Sequence, residues 1–335
     1  MKKIVAFLLL VSFCTSIYSQ TIQGVVLDRN NNSPIQSATI YFNGTFSGVL
    51  SDEQGYFELD NSDYKSMPIT ISSLGYYSFG LSDFPTDKQL IIFLTPKVFE
   101  LDEIVVTAID IQKARKRNLR MFKREFLGKT PNARKCKIMN EDDISLVYDD
   151  DNKKLKAFSS KPILIENRAL GFKITYYLDK FEYNKITDYL LLTGNYNFIE
   201  DSAIRWGKQK RIERRRKSTY LGSRMHFFRA LWANNLNSTL FAVENSAYVK
   251  LSYHEYVSDT DSLGVKGQMQ KYLKSSGNLI VTYFSREWSE SRIEIIKGYI
   301  QFNKNGYFDP LGISWGGDMA KQRVGDLLPF EYQTK

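Results

Sequence analysis

The chain has 335 residues, 43% of them hydrophobic, and carries a formal net charge of +9 with only two cysteines and two histidines. That length supplies core material for two domains. So few cysteines exclude a disulfide-stapled scaffold, and so few histidines leave little to build a catalytic zinc site from.

Lys2-Lys3, the apolar run Ile4 to Val11 and the stretch Ser12 to Ser19 ahead of Gln20 have the layout of a secretory signal peptide, too short in its apolar part for a membrane span. Residues 1–19 are therefore expected to be cut away after Ser19, giving an exported protein of the periplasm or the outer membrane. Phe13 stands directly before Cys14, where lipoprotein processing wants a small side chain, so a lipid anchor is not expected. With Cys14 removed, Cys136 is the remaining thiol and no intramolecular disulfide can close. Removal of Lys2 and Lys3 leaves a net charge of +7, which suits phosphate-bearing lipids or acidic polysaccharides as well as plain solubility. No later apolar run approaches the ~20 residues of a transmembrane helix.

From Thr21 onward the pattern has period two. Ile22 to Val26, Ala38 to Phe42, Phe57 to Leu59, Ile69 to Ile71 and Leu90 to Leu94 predict short strands separated by turns, hence a small antiparallel β-sandwich over residues 20–96. The polar turn Ser51-Asp52-Glu53-Gln54-Gly55, running into Tyr56-Phe57, is its organising stretch, with Gly55 permitting the tight bend. Asp28, Asn30 and Asn32 are spaced like the start of a calcium loop. Ser33 replaces the required glycine, however, and Thr39 stands where a bidentate glutamate is needed, so a folded-back turn is expected instead.

Gly24-Val25-Val26, Pro34 to Ile40, Ser51 to Phe57, Ser73-Leu74-Gly75-Tyr76 and Leu101 to Ala108, in that order, resemble the carboxypeptidase-regulatory-like domain family. The resemblance implies a transthyretin-like β-sandwich, often found in front of TonB-dependent outer-membrane receptors of the Bacteroidetes type. It implies structural roles for these residues and a catalytic role for none. A receptor would continue into a plug and a long barrel, whereas 227 residues follow Ala108.

Residues 97–130 are expected to hold a linker and a basic amphipathic helix. Ile111, Ala114, Leu119, Phe122 and Phe126 recur at roughly helical spacing among Lys113, Arg115, Lys116, Arg117, Arg120, Lys123 and Arg124; such a helix packs on its own domain or lies on an anionic membrane. Residues 131–335 are expected to form a β-rich domain with a helical insert near 205–236. The expected strands are Leu146 to Tyr148, Leu155 to Phe158, Ile163 to Ile165, Phe172 to Leu178, Tyr189 to Leu192, Tyr248 to Tyr256, Leu279 to Phe284 and Ile293 to Phe302. This region resembles the second part of two-part exported Bacteroidetes proteins, a likeness that transfers no sites.

The chemistry is tested residue by residue. Neither His226 nor His254 stands three residues before a glutamate, which argues against a zinc carboxypeptidase. Gly312-Ile313-Ser314-Trp315-Gly316 matches a nucleophile-elbow pattern, but no histidine follows it, and a turn explains the glycines. Cys136 has no local activator, and Asp142-Asp143 reads as a solvated turn unless the fold sets it opposite another carboxylate. The most unusual run is Arg205, Lys208, Lys210, Arg211, Arg214, Arg215, Arg216 and Lys217, relieved only by Glu213. Clustered guanidiniums grip phosphates and carboxylates, so this run is the candidate anion-binding site, against the alternative of a solvated helix face. Export and the lack of interleaved aromatics argue against nucleic acid.

The expected fold is thus mainly β: a transthyretin-like antiparallel β-sandwich followed by a β-rich α+β domain. The expected function is a non-catalytic binding or assembly module with no cofactor, its partner an outer-membrane protein or an acidic glycan or lipid. The alternatives are a carboxylate-based glycan hydrolase and a small outer-membrane β-barrel.

Overall fold

A computed structural model of the chain describes residues 21–65, 67–82, 84, 88–97, 108–201, 206–260, 269–285 and 288–334. The expected signal segment 1–19, most of the Leu101 to Ala108 motif and Arg205 lie outside the described residues. Within them the protein is mainly β, with three separate hydrophobic cores.

The first core belongs to a sandwich of β1 (Thr21–Asp28), β2 (Thr39–Phe42), β3 (Gly48–Leu50), β4 (Tyr56–Asp60), β5 (Ile69–Ser72), β6 (Phe79–Leu81) and β7 (Leu90–Leu94). Its sheets run β4-β1-β7 and β3-β2-β5-β6, and alternate residues such as Val26, Ile40, Phe42, Phe57 and Ile71 fill the space between them. Every described pair is antiparallel except β1 with β7. Strands this far apart in sequence are joined by no tight turn, so a parallel pairing is open to them. The organising turn works as its residues dictate. Asp52 Oδ1 accepts from Gln54 N at 2.9 Å and Tyr56 N at 2.8 Å, while Gly55 sits at φ +74° with a notional Cβ only 2.5 Å from Val26 O. Ser51 is buried, accepting from Ala38 N and donating to Ile35 O. Asp28 is also occupied, with Oδ1 accepting from Asn30 N at 2.7 Å and Oδ2 from Tyr76 OH at 2.7 Å.

The second core lies under α1 (Ala108–Leu127) and a six-stranded sheet of β8 (Cys136–Ile138), β9 (Ile144–Asp149), β10 (Lys154–Ser159), β11 (Ile163–Asn167), β12 (Phe172–Asn184) and β13 (Tyr189–Glu200). The long β12 carries β11 along its first half and β10 along its second, and on its other side pairs with β13. The apolar stripe of α1 faces this sheet: Phe122 lies 4.8 Å from Phe126 and 4.8 Å from Phe181, and Phe126 lies 5.0 Å from Tyr176, ring centroid to ring centroid. Gly128, at φ +103°, follows the helix.

α2 (Gln209–Tyr220) packs its end, through Tyr220, on the second core. The third core is built by α3 (Arg224–Trp232), followed by β14 (Phe241–Asn245), α4 (Tyr253–Tyr256), β15 (Val257–Ser258), β16 (Lys271–Lys274), β17 (Leu279–Phe284), β18 (Trp288–Ile295), β19 (Tyr299–Phe302), β20 (Ile313–Gly316) and α5 (Gly317–Ala320). Two sheets, β14-β17-β18-β20 and β15-β16-β19, enclose α3, whose Phe227, Phe228 and Leu231 are fully buried. The region expected to be one β-rich domain therefore holds two cores. Three expectations change here. Tyr248 to Tyr256 is no strand: Tyr248 takes φ +60° and residues 253–256 form α4 behind a Ser252–Glu255 capping box. Ile293 to Phe302 splits between β18 and β19, which lie in different sheets, with Gly298 at φ +80° between them. Residues 313–316 are an edge strand and not a turn.

All three bodies meet at a junction on β13. β13 is an edge strand, and its free edge is taken by the loop after β2: Gly44 N donates to Tyr196 O at 2.7 Å and Phe198 N to Thr45 O at 2.9 Å. Asn43 Oδ1 accepts from Tyr196 N at 2.8 Å. On the loop's other side Phe330 N donates to Gly44 O at 2.9 Å, and Glu331 Oε1 accepts from Phe46 N at 2.8 Å and Tyr64 OH at 2.6 Å. Arg229 of α3 then holds the same segment, giving NH1 to Tyr332 O at 2.7 Å, NH2 to Phe330 O at 2.9 Å and Nε to Asn305 O at 2.9 Å.

Two substitutions probe this junction. Gly44 has φ +76°, and a Cβ there would stand 2.7 Å from the Phe330 ring, so Gly44→Ala is expected to cost about 1–2 kcal/mol from backbone strain, with the clash in addition. Arg229→Ala strips three carbonyls of a charged donor and is expected to cost about 3 kcal/mol or more. Urea denaturation of both variants, followed by intrinsic fluorescence, measures these losses; an unshifted midpoint in either would show the segment to be held elsewhere.

Candidate ligand-binding site

α2 begins without a side-chain cap at Lys208 and runs through Gln, Lys, Arg and Glu, all good helix formers. Its register decides which cations face solvent. Ile212, Arg216 and Tyr220, at i, i+4 and i+8, turn inward: Ile212 and Tyr220 are buried, and the Arg216 side chain keeps 11% of its exposure. The Arg216 guanidinium lies 4.0 Å over the Phe172 ring, donates from Nε to Leu170 O at 2.9 Å, and pairs with Glu213 at 3.0 Å and Glu200 at 3.6 Å. It is thereby taken up in attaching α2 to the second core. Lys208, Lys210, Arg211, Arg214 and Lys217 are exposed and Arg215 is half-buried, so the run expected as an anion site survives as the outer face of the helix without Arg216.

The helix stops at a corner. Leu221 is extended, Gly222 has φ +76°, and Ser223 caps α3, accepting from His226 N at 3.1 Å. A Cβ on Gly222 would meet the Tyr283 ring at 2.8 Å. His226 closes the corner from inside: its Nδ1 accepts from Gly222 N at 3.1 Å, and its ring packs 4.8 Å from Tyr220, 4.9 Å from Phe241 and 5.8 Å from Tyr283. Burial, reinforced by the nearby Arg229 cation, pulls its pKa down to about 4. This is a packed neutral histidine.

Beside the corner opens a cleft of about 350 Å³, floored by Thr130 and Asp326 and walled by Ser218, Thr219, Tyr283 and Trp288. Asp326 Oδ1 accepts from Thr130 Oγ1 and from Asn132 Nδ2, both at 2.9 Å, and Asn132 also donates to Thr219 Oγ1 at 2.8 Å. Asp326 Oδ2 is buried with no partner, and burial raises the carboxyl's pKa. Lys321 and Asp318 pair at the rim. The cleft joins the second core, through Thr130 and Asp326, to the third, through Tyr283 and Trp288. Sequence reasoning missed it because its lining comes from four separate segments between Thr130 and Asp326; the extreme exposure of an indole, its best signal, exists only in three dimensions.

The rival chemistries find other arrangements. Ser314 sits inside the ladder of β20, opposite Glu294 of β18, where a strand-to-helix elbow would need it at the turn. Asp143 pairs with Lys161 at 2.8 Å and Asn140 at 3.0 Å, hydrogen bonds that hold its carboxyl below its usual range, while Asp142 is exposed. Burial pushes the Cys136 thiol up to about 12, with the Asp326 charge adding to the effect, so it stays protonated at neutral pH. His254 is exposed on α4. Among the described residues no three His, Cys, Asp or Glu side chains gather as metal ligands, no helix is long and apolar enough to cross a membrane, and the strands form five sheets of three to six strands.

These features define a β-rich protein whose leading sandwich is bound firmly to a larger body bearing a basic helix and a cleft. Residues 22–106 match the family model of the CarboxypepD_reg-like domain, which identifies the sandwich as a carboxypeptidase-regulatory-like module, non-catalytic in itself. No curated protein matches the chain.

The state of His226 predicts a pH effect. The unfolded imidazole titrates near 6.5 and the folded one near 4, so the unfolded chain binds more protons in between and stability rises with pH across that window. Above pH 6.5 this contribution is fully present; it is lost as pH falls toward 4. The wild type is expected to lose about 2 kcal/mol more than His226→Gln between pH 7 and pH 4, read from urea midpoints at each pH. Parallel losses would place the titrating group elsewhere.

Proposed function

We propose that the chain is an exported, non-catalytic binding module that holds an acidic glycan at the periplasmic side of the outer membrane through the outer face of α2. The observation carrying this reading is the division of labour along that helix. Arg216 anchors it, while Lys208, Lys210, Arg211 and Arg214 are held outward by a helix whose inner face is packed. Outward cations fixed on a rigid element grip carboxylates and phosphates at lower entropic cost than cations on a loop. Export rests on residues 1–19, and the carboxypeptidase-regulatory-like domain supports binding or regulation over catalysis. The sandwich presents the larger body and fixes its orientation.

The test is binding of the full-length mature protein to a printed array of acidic and neutral glycans, with anionic phospholipid vesicles in parallel. Retention of acidic glycans at low salt, release near ~0.5 M NaCl, and a loss of about tenfold in affinity for Lys210→Ala/Arg211→Ala/Arg214→Ala are expected. Retention of vesicles alone, or equal retention by the triple variant, overturns the reading. N-terminal sequencing of the secreted fraction is expected to begin at Gln20; material still starting at Met1 would defeat the export proposal.

A further inference from the structure

Trp288 keeps 79% of its surface in solvent, the highest among the large exposed apolar side chains of the described residues. An indole so exposed is not there for the core. Nor is it loose: Trp288 stands directly opposite Phe284 across the β17–β18 hairpin, and the two rings meet edge to face at 5.5 Å. A cross-strand aromatic pair of this kind fixes the direction of a side chain. The indole lines the mouth of the cleft beside the α2–α3 corner.

The rest of the lining is of a different character. Ser218, Thr219, Ser289 and Gln322 bring hydroxyls and an amide to the same space, beside the Asp318–Lys321 pair and the Asp326 carboxylate, whose Oδ2 is buried without a partner. Gln322 Oε1 is occupied by Arg224 N at 3.1 Å, so its amide nitrogen is the end left for a ligand. An indole platform ringed by hydroxyls, an amide and carboxylates, in a space within the ~300–1,000 Å³ range of small-molecule sites, matches a pyranose ring. Such a ring is apolar over its C–H faces and lined at its edge with hydroxyls. A purely apolar ligand would strand the serines, and a free anion would leave the indole unused.

Position adds the second argument. Ser218 is both exposed and part of the cleft. Arg214 and Arg215 precede it by four and three residues, on the same helical face at roughly 6 Å, and Arg211 lies one further turn away. The cleft and the basic face are therefore consecutive stations on one surface.

We infer that this cleft is a saccharide subsite in which Trp288 stacks on one sugar ring while Arg214 and Arg211 take the acidic groups of the neighbouring units of the same chain. The inference rests on the acidic-glycan reading for its second half, whereas its first half, the stacked ring, needs no charge. This difference makes the two separable.

The full-length mature protein, Trp288→Ala, Trp288→Phe and Lys210→Ala/Arg211→Ala/Arg214→Ala are titrated by calorimetry with an oligogalacturonide and with its reduced, neutral counterpart, at low and at high salt. Trp288→Ala is expected to weaken both ligands about tenfold at either salt concentration, with Trp288→Phe retaining most of the affinity. The triple variant is expected to abolish the salt dependence for the acidic ligand and to leave the neutral one unchanged. Affinity unaltered in Trp288→Ala, or no binding of either oligosaccharide to the wild type, overturns the subsite. A triple variant that retains full salt dependence overturns only the basic-face reading. Trp288 is exposed, so its variants fold, and an unchanged urea midpoint verifies that they do.

Discussion

The structure depends on a short stretch of backbone pairing at the free edge of β13. An unpaired edge leaves donors and acceptors that water or another chain must satisfy; here the loop Asn43-Gly44-Thr45 satisfies them, and the segment around Phe330 satisfies the loop in turn. That arrangement makes the five-residue loop between β2 and β3 an internal component of the larger body. Its geometry needs a backbone at φ +76° with a ring against the Cα, which glycine alone meets without strain. Arg229 completes the junction by turning three carbonyls of two segments toward one planar cation. The last described segment consequently reaches all three cores: Leu328 and Tyr332 pack in the second, Phe330 against the first, and its carbonyls rest on a helix of the third.

This junction has a bearing on the surface on the far side of α2. Tyr220, which ends that helix, packs 5.7 Å from Tyr332 and lies under the Arg229 cation. Arg216 ties the helix to β12 through Phe172, and Phe172 itself touches Phe46 of the sandwich loop. The basic face is thus held rigid by the same contacts that hold the domains together. A carboxypeptidase-regulatory-like sandwich here braces the body that carries the basic face of α2.

Much of the fold was legible because it follows from local rules. The strands of the sandwich, the Asp52–Gly55 turn and the apolar stripe of α1 all follow from side-chain periodicity and turn chemistry. The misreadings have physical causes as well. Tyr248 to Tyr256 is rich in aromatic residues and suits a strand, but Ser252 with Glu255 forms a capping box that starts a helix. Ile293 to Phe302 reads as one apolar strand, yet Lys297-Gly298 breaks it, and its halves bury their faces in different sheets. The number of cores after Ala108 could not be read at all, since period-two segments look alike whichever layer they join.

By itself the sequence determined that residues from Thr21 form a regulatory-like β-sandwich, that a basic amphipathic helix follows, and that a second cluster of cations lies in a helical insert. Those properties reside in the order of neighbouring residues, where periodicity and turn geometry operate. Only the tertiary structure decided which cations face solvent, because a single helical face separates Arg216 from Arg214 and the packing of Phe172 selects that face. It alone also brought Trp288, Ser218 and Asp326 around one cleft. Segments so distant in sequence meet through sheet pairing and core closure, and no local pattern encodes the meeting point.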